Sequence, residues 1–131
     1  VRAVVRVRPL LPLELERGEK NCCEVQDESS LLIQASTGGQ QWRKYSFDAC
    51  LPQGRSQKQV FQECGAASLI DSAVLGYSAT ILAYGQTGSG KTHTMIGNLG
   101  TQDASETRED VRREDGLVMR CAKRLFRRIS G

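Results

Sequence analysis

Residues 80–84 read T-I-L-A-Y, a continuous apolar run, and run straight into Gly85-Gln86-Thr87-Gly88-Ser89-Gly90-Lys91-Thr92. This pairing constrains the fold more than any other feature of the chain. An apolar run of this length bounded by turn residues predicts a parallel strand covered on both faces. The string after it satisfies G-x-x-x-x-G-K-[ST] at every fixed position and must turn from that strand into a helix. Glycines at 85, 88 and 90 give access to dihedrals closed to other residues, so successive N–H groups can face inward around a phosphate-sized anion. The helix starting near Lys91 adds its positive end, Lys91 reaches toward β and γ phosphates, and the Thr92 hydroxyl is placed to ligate Mg²⁺. Ser89 can add its N–H, although its side chain reads equally well as filler. A glycine-rich turn that matches by chance is the competing reading; the strand before it and the Lys-Thr after it argue against that.

At 131 residues the chain has room for one compact domain. Its 39% hydrophobic and 25% charged content is that of a globular protein rather than a disordered or fibrous one. A net charge of +3 permits an acidic partner but is too small to indicate nucleic acid or a membrane surface. The five cysteines form no C-x-x-C pair and there is a single histidine, which removes the usual zinc spacings. Scattered cysteines with no signal peptide predict reduced thiols in the cytosol, and no apolar run approaches the ~18 residues of a membrane span. The chain opens inside an apolar alternation and stops just after a helical pattern, which reads as part of a larger domain.

Residues 1–8, V-R-A-V-V-R-V-R, alternate like a strand that Pro9 and Pro12 terminate. Residues 10–43 are irregular, with a charged patch at 14–20, an apolar run at 31–33 and a Gly38-Gly39 turn, consistent with a small hairpin excursion. A second short strand is expected at 45–50. Ser56 with Gln59 three residues later forms a capping box. The helix it opens carries Val60, Phe61, Cys64, Ala67, Ile70, Val74 and Leu75 on one stripe until Gly76 stops it, and that stripe should lie against a sheet. Leu69-Ile70-Asp71 looks superficially like a strand ending in a magnesium-positioning Asp, but it falls inside this helix and is rejected on that ground. Residues 98–115 alternate acid and base and predict an exposed loop. From Leu117 an amphipathic helix follows, with Cys121, Leu125 and Phe126 on its apolar side. Its basic residues, Arg120 to Arg128, form a solvated face at least as readily as a partner surface.

Residues 77–95, Y-S-A-T-I-L-A-Y-G-Q-T-G-S-G-K-T-H-T-M, closely resemble the kinesin segment around the phosphate loop, and V-R-V-R-P-L at 5–10 resembles its opening strand. Y-S-F-D at 45–48 and the Gln59-Val60-Phe61 helix start are also similar to their kinesin counterparts, so the resemblance covers nearly the whole chain in order. It implies an α/β fold of the P-loop NTPase type, three layers α/β/α around a central mainly parallel sheet, incomplete here. The chain would then be the N-terminal portion of a kinesin-type motor domain. The resemblance further implies ATP and Mg as cofactors, the microtubule (tubulin) as partner through the complete motor, and a cytoplasmic, cytoskeletal location. No nucleic acid is implied.

Carried over residue by residue, the resemblance implies that Arg6, Arg8 and Pro9 line the adenine and ribose end and that His93 flanks the base. On the residues alone, the arginines read as solvated charges on an edge strand and Pro9 as a terminator. His93 reads equally as a surface imidazole or as a ring that stacks on a purine. The kinesin switch strings N-x-x-S-S-R-S-H and D-L-A-G-S-E do not occur, so no catalytic base is named and the chain alone is expected to lack turnover. Two rivals remain: a nucleotide-binding or interaction module without turnover, and a different P-loop ATPase, for example one acting on nucleic acid.

Overall fold

The computed structural model describes residues 1–35, 41–98 and 114–130. Two units form along the chain, Val1–Arg55 and Ser56–Gly131.

The first unit is built of strands. β1 (Val4–Arg6) is shorter than the alternation of residues 1–8 predicts, because pairing extends only as far as its partner. That partner is β5 (Ala49–Leu51), parallel to β1, with Val4 opposite Ala49 and Arg6 opposite Leu51. Val7 N donates to Leu51 O at 2.9 Å and Ala3 N to the Asp48 carboxylate at 2.7 Å, which closes both ends of the pair. Between them the chain forms α1 (Pro12–Glu16), then an antiparallel sheet in the order β2 (Cys23–Asp27), β3 (Ser30–Gln34), β4 (Trp42–Ser46). Pro12 suits the first helical position, where a missing N–H costs nothing. The expected hairpin excursion is thus a three-stranded sheet, and the expected strand 45–50 is split between β4 and β5. The Gly38-Gly39 turn lies outside the described residues. In the tight β2–β3 turn the Ser30 hydroxyl, and after it Ser29 N and Oγ, donate to Asp27 and hold its carboxyl at about 2, below the usual range. Leu31, Cys50 and Leu51 are the buried apolar residues among the described residues of this unit.

The second unit is built of helices. The capping box is present as expected: Gln59 N donates to Ser56 Oγ at 3.3 Å and Ser56 N to Gln59 Oε1 at 3.0 Å. The helix it opens is not continuous. α2 (Gln57–Glu63) ends at Cys64, and α3 (Ala66–Val74) begins after Gly65, whose φ of 85° is the left-handed conformation that breaks the run. Val60, 2% exposed, anchors α2, and burying such a side chain contributes about 1.5–3 kcal/mol. α4 (Lys91–Met95) and α5 (Leu117–Ile129) complete the unit, and α3 packs along α5. Among the described residues no helix is long and apolar enough to cross a membrane.

Residues 80–84 form no strand. Leu82 is 84% exposed and Tyr84 97% exposed. A parallel strand exists only through neighbours that take its N–H and C=O groups, and the one parallel ladder among the described residues is β1–β5. Among the described residues the chain is therefore mixed α/β with a small, two-stranded parallel sheet. The loop expected at 98–115 falls on residues outside the described set, except for its two ends. These meet: Asn98 N donates to Glu114 O at 3.3 Å, Gly116 N to Ile96 O at 3.0 Å, and Gly97 bridges Asp115.

Asp71 lies on α3, as its helical position required, and its carboxylate accepts from Arg124 (2.9 and 2.6 Å) and Arg128 (3.1 and 3.2 Å). The hydrogen bonds from Arg124 hold its carboxyl down at about 2, against an ordinary value of 3.8. A depressed folded-state value contributes stability above the ordinary value that is lost as pH falls through the folded one. The Asp71→Asn variant should therefore melt below the parent at pH 7, and the gap should close between about pH 4 and pH 2. Circular dichroism melts of the pair at several pH values check this; a gap that is constant with pH excludes the ion pair as its cause.

Candidate functional site

Three glycines set the path of residues 85–92, with φ of 154° at Gly85, 80° at Gly88 and 93° at Gly90, all in the range that side chains disfavour. Ser89 N donates to Gln86 O at 3.1 Å and closes the turn. A Cβ on Gly85 would stand 2.5 Å from Ser89 Oγ, so a larger residue there would have to displace the Ser89 side chain as well as adopt a positive φ. At Gly88 a Cβ would meet nothing within 4 Å, which leaves open space over the tip of the loop.

Gly90 is the N-cap of α4, and no side chain caps it. The first bond of the helix is Thr94 N to Gly90 O at 2.9 Å, so the preceding amides point out of the helix without intrahelical partners. Among the described residues no group accepts from the N–H of Lys91 or Thr92. Lys91 folds back over the loop, and its ammonium donates to Gly85 O and Gln86 O at 2.8 Å each. A cation and outward-facing amides thus converge beside a loop whose tip is open. That donor set fits an anion with several acceptor oxygens. Thr92 is exposed at the same helix start, and its hydroxyl has no partner among the described residues.

His93 also starts from α4, and here the structure adds a residue that sequence reasoning missed. Gln57, the first residue of α2, is 3% exposed, and its amide Nε2 lies 2.7 Å from His93 O and 3.2 Å from His93 Nε2. No periodicity marks a polar residue at a helix start as buried; the sole signal was its place just after the Ser56 cap.

In the first unit Arg8 is held by Glu14, at 2.7 Å (Nη1 to Oε2) and 2.5 Å (Nη2 to Oε1), and its Nη1 also donates to Pro9 O at 2.9 Å. Glu14 accepts from Leu11 N as well, at 2.7 Å, and the Arg8 bonds hold its carboxyl at about 2. Sequence reading placed Glu14 only in a charged patch. Arg6 donates to Arg55 O at 3.3 Å, and Pro9 is exposed.

The sequence pattern of the kinesin motor domain matches residues 6–131. The chain belongs to the kinesin motor domain family. Kinesin-like protein KIF7 of Mus musculus is 37% identical over 129 residues, 98% of this chain and 9% of its own length. Kinesin-1 heavy chain of Homo sapiens is 38% identical over 99 residues, 76% of this chain and 9% of its own. Kinesin heavy chain isoform 5A of Homo sapiens is 35% identical over 129 residues, 98% of this chain and 11% of its own. The chain spans about a tenth of the length of the curated relatives it matches. The kinesin motor domain has the P-loop NTPase fold, to which the expected α/β class and the loop at 85–92 of this kinesin chain both belong.

Proposed function

We propose that this chain is the N-terminal, ATP-binding portion of a microtubule-dependent motor ATPase that works on the cytoskeleton in the cytoplasm. The observation that carries this reading is the Lys91 ammonium resting on the Gly85 and Gln86 carbonyls beside unpartnered amides of α4. Bound Mg·ATP would supply the phosphoryl group to be transferred; the protein residues bind and orient it. Gly85, Gln86, Thr87, Gly88, Ser89 and Gly90 wrap the phosphates through the backbone, and Lys91 exchanges its carbonyl acceptors for the β and γ oxygens. Among the described residues no group of three His, Cys, Asp or Glu converges on a metal position. The Thr92 hydroxyl is the group that would hold Mg²⁺, which when bound would supply charge neutralisation at the phosphates. In this reading Arg6, Arg8 and Pro9 of the first unit, and His93 of the second, are each assigned to the adenine and ribose end by the kinesin resemblance, and the Arg8–Glu14 pair fixes the guanidinium of Arg8.

Neither kinesin switch string lies within residues 1–131. In-line attack on the γ phosphate needs an ordered water and charge stabilisation beyond a phosphate cradle. Purified residues 1–131 should thus bind Mg·ADP yet show no microtubule-stimulated phosphate release, whereas the full-length protein should show it. Phosphate release from both, with and without microtubules, checks this. Turnover by the short chain near that of the full protein would overturn the mechanism, and stimulation by DNA or RNA in place of microtubules would favour another kind of P-loop ATPase.

A further inference from the structure

Gln57 offers His93 two contacts from one nitrogen, 2.7 Å to the backbone oxygen and 3.2 Å to Nε2 of the ring. A carbonyl oxygen only accepts, so the NH₂ end of the Gln57 amide, not its oxygen, must face His93. The second hydrogen of that NH₂ then points at the ring nitrogen, which must present a lone pair. An imidazole with Nε2 as acceptor carries its proton on Nδ1. Gln57 cannot easily turn its amide end for end, because that would set two oxygens against each other inside a residue only 3% exposed. Its backbone is fixed as well, at the start of a helix closed by the reciprocal Ser56–Gln59 cap.

We infer that Gln57 is a positioning residue of the nucleotide site: it holds the His93 ring in the Nδ1–H tautomer and in one orientation, ready to stack on a purine. The functional half of this inference rests on the proposed adenine contact of His93; the tautomer does not. A flat ring with a fixed plane loses less freedom when a base settles on it, and the Nδ1–H directed away from Gln57 remains available as a donor. α2, which belongs to none of the loop residues, thereby becomes part of the site through α4.

The chain has one histidine, so a ¹⁵N-labelled sample gives a single imidazole to read. Spectra recorded at rising pH until the pattern no longer changes report tautomer rather than charge. The expected pattern is a protonated Nδ1 and a bare Nε2. In Gln57→Glu the carboxylate must turn from His93 O and can only accept at the ring, so the proton should move to Nε2; in Gln57→Leu the preference should vanish. Both variants should bind Mg·ADP about fivefold or more weakly, the scale of one hydrogen bond, and inorganic pyrophosphate as tightly as the parent. Far-ultraviolet circular dichroism confirms that each variant is folded, and the polar Glu substitution serves if the Leu substitution unfolds. A folded parent with Nε2–H, or with an even mixture, overturns the inference. Unchanged Mg·ADP affinity in both Gln57 variants overturns the positioning role if His93→Ala does weaken binding. If His93→Ala is also without effect, the adenine reading itself fails, and a spectrum with Nδ1–H then supports the lock alone.

Discussion

Lys91→Ala should lower the affinity of the full-length protein for Mg·ATP and its turnover by at least about 100-fold while leaving the fold intact. Removing even one neutral donor from a preorganised oxyanion site typically costs about 2.7–4 kcal/mol, which corresponds to at least that factor. The ammonium is held at the loop by two carbonyls 2.8 Å away, so it is present before the nucleotide arrives and needs no rearrangement of the chain to reach it. Lys91→Arg should not rescue the loss. A planar, wider guanidinium cannot sit as a point charge on both carbonyls. Calorimetric titration with Mg·ADP and Mg·ATP beside circular dichroism tests the prediction; a folded variant with unchanged affinity would remove residues 85–92 from the nucleotide site.

The largest loss of stability should follow from Gly116→Ala. A Cβ there would stand 2.5 Å from Gly97 N and Ile96 C and 2.6 Å from Met95 C, all of them backbone atoms that cannot swing aside. Gly97→Ala should be comparably severe, since its Cβ would meet Glu114 O at 2.0 Å and its φ of 100° is itself strained for alanine. Either change must push apart the two stretches joined by the Gly116–Ile96 bond. We expect a cost of roughly 3 kcal/mol or more for each, from a clash with no soft partner at Gly116 and from such a clash together with backbone strain at Gly97. Against the ~5–15 kcal/mol that holds an ordinary domain together, this should lower the melting temperature by about 10 °C or more. Gly54→Ala is the control, because φ is 83° but nothing lies within 4 Å, so it isolates strain from clash. A Gly116→Ala melt within about 2 °C of the parent would show that the contact is dispensable.

Features set by near neighbours were legible in the sequence. The Ser56–Gln59 cap, the start of α4 at Lys91 and the amphipathic α5 each depend on residues within one or two turns. What depends on distant partners was not. Residues 80–84 are apolar enough for a buried strand, but burial and ladder come from other segments, and Leu82 and Tyr84 stand exposed. β4 is exposed at every position, so no alternation announced it; only its pairing with β3 makes it a strand. The break at Gly65 was hidden because the apolar stripe continues across it, from Val60 to Val74. Within the site, glycines, Lys91 and Thr92 have a motif, whereas Gln57 and Glu14 act on the site through His93 and Arg8, to which no spacing rule links them.

The placement of Trp42 has a practical bearing on how unfolding is observed. It is the single tryptophan of the chain and sits, 43% exposed, on β4 within the first unit. Its fluorescence therefore reports on the strand-built unit, while the ellipticity of α2 to α5 reports on the helical one. Coincident transitions by the two signals would identify one cooperative event, and separated ones would resolve two. For substitutions at Gly97, Gly116 or Gln57, emission from the indole is the wrong detector, and a silent fluorescence trace would say nothing about the helices.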